Sequence, residues 1–172
     1  EIFNDKNNTE IFFVNTPKSQ LKNISDVSDI TIKGKKNLNL YKLIKGDRGT
    51  NQLTGSRKSD IILGEANIDN IRGKQGDDII DVGQPGTKRG RIRFDLVEGG
   101  NGKDTFVIKD GYKVNITDFN VKQDIIDLSE LAPGSSFSRS NGNTFLQDEN
   151  DTIIAKLDGK FKLSAFNIIQ PE

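Results

Sequence analysis

GKQGDDIID, from Gly73 to Asp81, and GGNGKDTFV, from Gly99 to Val107, are the clearest copies of a nine-residue unit with Gly first, Asp sixth and a bulky apolar residue eighth. Outward from them the same template fits GDRGTNQLT from Gly46, GSRKSDIIL from Gly55 and GEANIDNIR from Gly64. After eight irregular residues, Val82 to Arg89, it fits GRIRFDLVE from Gly90. The sixth positions are Asn51, Asp60, Asp69, Asp78, Asp95 and Asp104; the eighth are Leu53, Ile62, Ile71, Ile80, Val97 and Phe106. With 33% of residues hydrophobic, six apolar hits in six arise by chance about once in a thousand trials.

The physics of the unit follows from its residues. Gly and a polar run make a turn, and positions seven to nine make a short strand whose middle side chain points inward. A strand this short buries too little surface alone, so successive units must stack and share their eighth positions. Stacking brings the sixth-position carboxylates into columns, where they repel unless a cation lies between them. A hard dication suits such a slot, and calcium accepts a mixture of carboxylates and backbone carbonyls. The alternative is a metal-free solenoid whose Asp residues sit in hydrogen-bonded turns.

These units resemble the RTX-type calcium-binding nonapeptides, GGxGxDxLx. Gly99, Gly100, Gly102, Asp104 and Phe106 match throughout, and Gly73, Gly76, Asp78 and Ile80 match in the central copy. Lys58, Asn67 and Arg93 depart from the fourth-position Gly, and Asn51 from the sixth-position Asp. The resemblance implies an all-β fold, a right-handed parallel β-roll with two units per coil. It also implies Ca2+ held by Asn51, Asp60, Asp69, Asp78, Asp95 and Asp104, with backbone oxygens at Gly76, Gly100 and Gly102. Carried onto this chain, one edge pairs Asp60 with Asp78 and Asp78 with Asp95. The other pairs Asn51 with Asp69 and, past the irregular loop, reaches Asp104.

Three regions follow: an N-terminal β segment over 1–45, the roll over 46–112 and a C-terminal capping β region over 113–172. Strand character marks Ile11–Val14 and Ile30–Ile32. Residues 118–131, DFNVKQDIIDLSEL, resemble the element that closes many such rolls in secreted proteases, alginate epimerases and surface proteins. Their Ile125, Ile126, Leu128 and Leu131 are apolar where a last coil needs covering, and Asp118, Asp124 and Asp127 read chiefly as turn or helix-start residues, with an added metal ligand as the alternative. Antiparallel strands are expected at 144–147, 152–157 and, after Asp158-Gly159, 160–163, with Phe166 and Ile168 facing inward.

Charge is balanced, with 25 basic and 25 acidic residues, so nothing draws the chain to nucleic acid. No apolar run approaches a membrane span. Without His or Cys, His-based triads, the HExxH zinc helix and thiol chemistry are excluded. Paired carboxylates remain, but the repeat assigns nearly every clustered Asp to structure, so the module reads as noncatalytic. Basic residues gather around the irregular loop, and Arg72, Lys88 and Arg91 are candidates for holding an acidic polysaccharide. Seventh positions Ile61, Ile79 and Leu96 point to one apolar outer sheet face, and Gln52, Asn70 and Thr105 to a polar one. The expectation is a calcium-binding module of an exported bacterial protein, secreted or at the cell surface, that folds on calcium. Its start at Glu1 suggests a piece of a longer protein with further domains upstream. An acidic-polysaccharide-binding module beside a carbohydrate-active enzyme is the alternative.

Overall fold

The computed structural model describes residues 2–4, 10–12, 41–88, 91–162 and 165–169, with 2–4, 10–12, 87, 88, 91 and 92 described by their backbone. The chain divides into two compact units, Glu1–Leu43 and Ile44–Glu172. In the first, β1 (Ile2–Asn4) and β2 (Glu10–Phe12) run antiparallel, and β2 pairs with β3 (Tyr41–Lys45) through Ile11–Lys42 and Phe12–Tyr41. Of the strands expected here, Ile11 and Phe12 lie in β2, whereas 13–14 and 30–32 fall outside the described residues.

The second unit is a parallel β-roll. Its first sheet stacks β5 (Asp60–Leu63), β8 (Ile79–Asp81), β13 (Thr105–Val107), β15 (Ile125–Asp127) and β19 (Asn167–Ile169), all parallel. Its second stacks β4 (Gln52–Thr54), β7 (Asn70–Gln75), β12 (Asp95–Asn101), β14 (Val114–Ile116) and β18 (Ile153–Leu157), also parallel. The chain crosses between the sheets strand by strand, as half-coil units require. Eighth positions align in register as Ile62, Ile80, Phe106, Ile126 and Ile168 in the first sheet. Leu53, Ile71, Val97, Ile116 and Leu157 align in the second. Most are fully buried, each stabilising the fold by about 1.5–3 kcal/mol. Leu53 and Ile168 are partly buried.

One sequence expectation is corrected. The fifth unit does not start at Gly90, which lies outside the described residues. Short strands β6 (Ala66–Asn67) and β9 (Gln84–Pro85) pair in parallel, Ala66 with Gln84 and Asn67 with Pro85. Val82–Pro85 is therefore the turn that stacks on Gly64–Asn67. A hairpin, β10 (Thr87–Lys88) with β11 (Arg91–Ile92), is inserted into that turn, and the Arg93 N–H donates to the Gly86 carbonyl at 3.1 Å across its base. The unit resumes at Asp95. The eight extra residues thus lie inside a half-coil, not between two, and the sheet alternation never breaks. Outward seventh positions are Ile61, Ile79, Thr105 and Ile125 on the first sheet and Gln52, Asn70, Leu96 and Asn115 on the second. Leu96 therefore sits, 42% exposed, on the polar face instead of beside Ile61 and Ile79.

The region after residue 112 is more roll than cap. Strands β14, β15, β18 and β19 extend both sheets in parallel; the antiparallel part is β16 (Ser136–Ser140) and β17 (Asn143–Gln147), which pair with each other and then with β18. No strand forms over residues 160–162, and Leu163 lies outside the described residues. Both sides of β18 are already taken, by β14 and β17. The Phe161 N–H instead donates to Thr144 Oγ1 at 3.3 Å. The ring joins Phe119 and Phe166, with centroids 5.7 and 5.9 Å away. Phe166 and Ile168 pack on the core as expected.

Degenerate units keep the turn's backbone. Gly100 and Gly102 hold φ of +100° and +138°, and a Cβ on Gly102 would strike the Gly76 carbonyl. Where Gly is missing, Glu65 (φ 75°), Asn67 (81°) and Lys74 (84°) take the same left-handed conformation, at about 1–2 kcal/mol each for an L-residue. Lys74→Gly is therefore expected to stabilise the calcium-saturated protein by up to about 1 kcal/mol, after the greater chain entropy of Gly is deducted. A fall in Tm for that variant would show that the Lys74 side chain contributes more than its strain costs.

Candidate metal centre

The sixth-position side chains turn inward at the two edges where the chain passes between sheets. Asp60, Asp69, Asp78, Asp95 and Asp104 are all buried, none more than 2% exposed. They form two ladders in which one backbone N–H donates to the carboxylate of the next coil. On the edge feeding the first sheet, Asp60 N donates to Asp78 Oδ1 (2.8 Å), Asp78 N to Asp104 Oδ1 (3.0 Å) and Asp104 N to Asp124 Oδ1 (3.1 Å). On the other, Asn51 N donates to Asp69 Oδ1 (2.8 Å) and Asp69 N to Asp95 Oδ1 (2.7 Å). The expected partner of Asp78 was Asp95; the structure makes it Asp104, and gives Asp95 to Asp69. The inserted hairpin explains both exchanges, since each such step spans 26 residues where the Asp60–Asp78 and Asn51–Asp69 steps before it span 18.

These bonds satisfy Oδ1 of Asp69, Asp78, Asp95 and Asp104, and Asp60 instead accepts the Ser56 N–H at Oδ2 (2.6 Å). Asp60 Oδ1 and the Oδ2 atoms of Asp69, Asp78, Asp95 and Asp104 are buried with no hydrogen-bond partner. A buried polar oxygen left without a donor costs on the order of 1–3 kcal/mol, more when charged. The metal-free alternative of fully hydrogen-bonded Asp turns thus describes one oxygen of each pair and leaves the other unexplained. The glycine column adds to the crowding of oxygen. A Cβ on Gly73 would collide with Asp78 Oδ2 and with the Gly99 carbonyl of the next coil, and one on Gly64 with Asp69 Oδ2 and the Val82 carbonyl. Carboxylate and carbonyl dipoles therefore converge at each turn. Among the described residues no three acidic side chains meet at one point, so side chains alone do not make a coordination shell. The donor set on offer is one carboxylate per coil plus turn carbonyls, which suits a hard cation with flexible geometry.

Electrostatics agree. Burial pushes the Asp78 carboxyl up to about 7, the Asp60 N–H opposes this, and the charges of Asp104, Asp60 and Asp77 add to it. Burial likewise raises Asp95 to about 7 and Asp69 and Asp104 to about 6. In an unfolded chain these groups titrate near the ordinary Asp value of about 3.9. Since the folded values are raised, the metal-free roll holds its full proton-linked stability below about pH 4 and loses it as pH climbs through 6 to 7. Protein stripped of metal on a chelating resin should therefore show more sheet by circular dichroism at pH 5 than at pH 8. Less order at pH 5 would show that the carboxylates are not desolvated as described.

Two placements depart from the first reading of the sequence. Asp124, read from sequence as a turn residue, is the fourth rung of the first ladder. Asp124 has both oxygens satisfied, Oδ1 by Asp104 N and Oδ2 by Asn120 N at 2.7 Å. The signal was present: DIID occurs at Asp78–Asp81 and again at Asp124–Asp127. Arg72 is not a free charge, because its Nε lies 3.5 Å from Glu98 Oε2. Lys88 and Arg91, its expected companions, face each other as Cα partners across the inserted hairpin. Gly76 and Gly102 stack across one edge, with Gly76 N donating to the Asn101 carbonyl at 2.9 Å, and Gly100 lies over Lys74.

No helix among the described residues is long and apolar enough to cross a membrane. No family model matches the chain, and none of the curated proteins does. Among solved structures it is similar to the solution structure of the AlgE6R3 subunit from the Azotobacter vinelandii mannuronan C5-epimerase. The TM-score is 0.46 at 24% identity, covering 65% of this chain and 72% of that one. The parallel two-sheet roll stands on the strand pairings described above.

Proposed function

We propose that this chain is a noncatalytic, calcium-binding β-roll module of an exported bacterial protein, ordered by calcium outside the cell. The observation that carries the reading is the set of five buried carboxylate oxygens without donors that, among the described residues, lie only on the two ladders. Asp60, Asp78 and Asp104 would hold ions along one edge and Asp69 and Asp95 along the other. Asn51 supplies a weaker, uncharged rung at the first coil, and turn carbonyls at Gly76, Gly100 and Gly102 complete the oxygen set. Bound calcium supplies positive charge between carboxylates that otherwise repel, so its binding free energy becomes folding free energy. In a calcium-poor cytosol the ladders favour a loose chain, which suits passage out of the cell; at millimolar calcium they favour the roll. Circular dichroism at pH 7.5 tests this: the sheet signal should fall on adding EGTA and return with excess calcium. A spectrum identical in both conditions would sink the coupled-folding reading.

The inserted hairpin favours a second role alongside the first. TKRGRIR, Thr87 to Arg93, carries four basic residues and no acidic one, on a hairpin inserted at the roll edge. A calcium-ordered roll presenting that hairpin to an acidic polysaccharide would bind mainly through charge, weakening as salt screens it. Lys88→Glu with Arg91→Glu should abolish retention on an alginate or pectate gel at low salt while leaving calcium binding unchanged. No retention of the unaltered protein would leave the hairpin as charge balance.

A further inference from the structure

The charge at the roll's second edge changes sign within one coil. Its turns run Gly46–Asn51, Gly64–Asp69, Val82–Asp95 and then Ile108–Lys113. In the fourth turn the position opposite Asp95 is Val114, and the Asp95 N–H donates to the Lys113 backbone carbonyl at 2.8 Å, not to a carboxylate. That same turn brings in two ammonium groups. Lys109 Nζ lies 3.0 Å from Asp81 Oδ2 and 3.1 Å from Glu130 Oε2, joining the end of β8 to the segment after β15. The other oxygen of Asp81 accepts the Tyr112 hydroxyl (2.6 Å) and the Gly83 N–H (3.0 Å). Lys113, only 9% exposed, donates from Nζ to the Ile153 carbonyl of β18 at 2.7 Å.

The orphaned acidic oxygens stop at the same place. Among the described residues none lies beyond Asp104. Asp118 accepts the Gly99 and Gly100 N–H groups (2.9 and 2.8 Å), and Asp124 those of Asp104 and Asn120. Among the described residues the core is weighted the same way: of the eighteen buried residues in the hydrophobic cluster, twelve come from Ile108 onward. The array up to Asp104 has bare carboxylates and a thin core, whereas the part from Ile108 has paired carboxylates, two resident cations and most of the apolar burial.

We infer that Lys109 and Lys113 act as built-in cations that replace bound metal at the C-terminal end of the roll, so that residues 108–169 form a calcium-independent platform on which the calcium-dependent coils 46–107 stack. This rests on the calcium reading above for the array but not for the platform. A covalently attached ammonium needs no extracellular supply, so the platform is already formed when calcium first reaches the chain. It offers β12 and β13 a finished strand edge on which to add.

Hydrogen exchange on the full chain at pH 7.5 separates the two parts. In EGTA, peptides covering β14 to β19 should keep their protection, while those covering β4 to β8 exchange freely; calcium should protect both. Lys109→Met with Lys113→Met should lower the platform's protection in EGTA by at least tenfold and leave it near the unaltered level in calcium. Each single variant should give a smaller loss of the same sign, which keeps the test open if the double variant does not fold. Joint loss of protection by array and platform in EGTA, in the unaltered protein, would overturn the inference while leaving the calcium reading intact. So would a platform in EGTA indifferent to both substitutions. Full protection of both parts in EGTA would instead overturn the calcium reading, and with it the division between them.

Discussion

Asp78→Ala is expected to weaken calcium binding at least ~10-fold, against a few-fold for Asn51→Ala. Asp78 sits in the middle of the first ladder, fully buried, with Oδ1 held by Asp60 N, its own N–H on Asp104 Oδ1, and Oδ2 without a donor. In the proposed metal ladder one carboxylate there would serve the ions on both its sides, so its loss would remove charge and ligand from two sites. Asn51 is uncharged and already occupied locally: its Nδ2 donates to Asp47 Oδ1 at 3.0 Å and its Oδ1 accepts Asp47 N at 2.9 Å. Calorimetric titration of the two variants with calcium is the measurement. Asp78→Asn sharpens it through a change of sign. It too should weaken calcium binding, yet in metal-free protein near pH 8 it should favour the roll, because it removes a buried charge next to Asp60 and Asp104. Matching titration curves for Asp78→Ala and Asn51→Ala would falsify the ladder as the metal site.

The second large effect belongs to the platform. Phe119→Ala should cost about 3–5 kcal/mol, the usual range for truncating a buried aromatic ring. Phe119 is 4% exposed, and its ring centroid lies 5.9, 5.7 and 5.6 Å from those of Phe106, Phe161 and Phe166. Phe166 in turn stacks on Phe137 at 4.8 Å. The ring thus ties the last unit of the array to strands and loops far apart in sequence, and a cavity there cannot be closed by one neighbour. Urea unfolding in calcium measures it, and a loss below about 1 kcal/mol would show that the aromatic cluster repacks freely.

What the sequence revealed and what it hid divide along physical lines. The nonapeptide rows were legible because the eighth-position residues are fixed by local periodicity, and every one of them turns inward. The partition of strands between sheets was misread at one point. GRIRFDLVE satisfies the template by coincidence, and only the pairing of Ala66–Asn67 with Gln84–Pro85 shows that the true turn begins eight residues earlier. Strand pairing is a long-range fact that a period cannot supply. Asp124 was within reach, because its DIID repeats that of Asp78. The lysine contacts were not: nothing local to Lys109 or Lys113 points to Glu130 or Ile153, which lie 21 and 40 residues away along the chain. Side chains that close the end of a stack have no repeat to betray them.

The hairpin between Gly86 and Arg93 also says where this architecture can be edited. Eight residues are spliced into one turn while the strands on either side keep their partners, Ile71 with Val97 and Ile80 with Phe106. The turn is thus a graft point, open to foreign loops whose ends meet closely enough to rejoin. Deletion obeys the opposite arithmetic. Excising two units shortens the molecule by one coil and leaves each later strand on its own side. Excising a single unit would send every later strand to the wrong wall, with β18 and its flanking hairpin transplanted across the core.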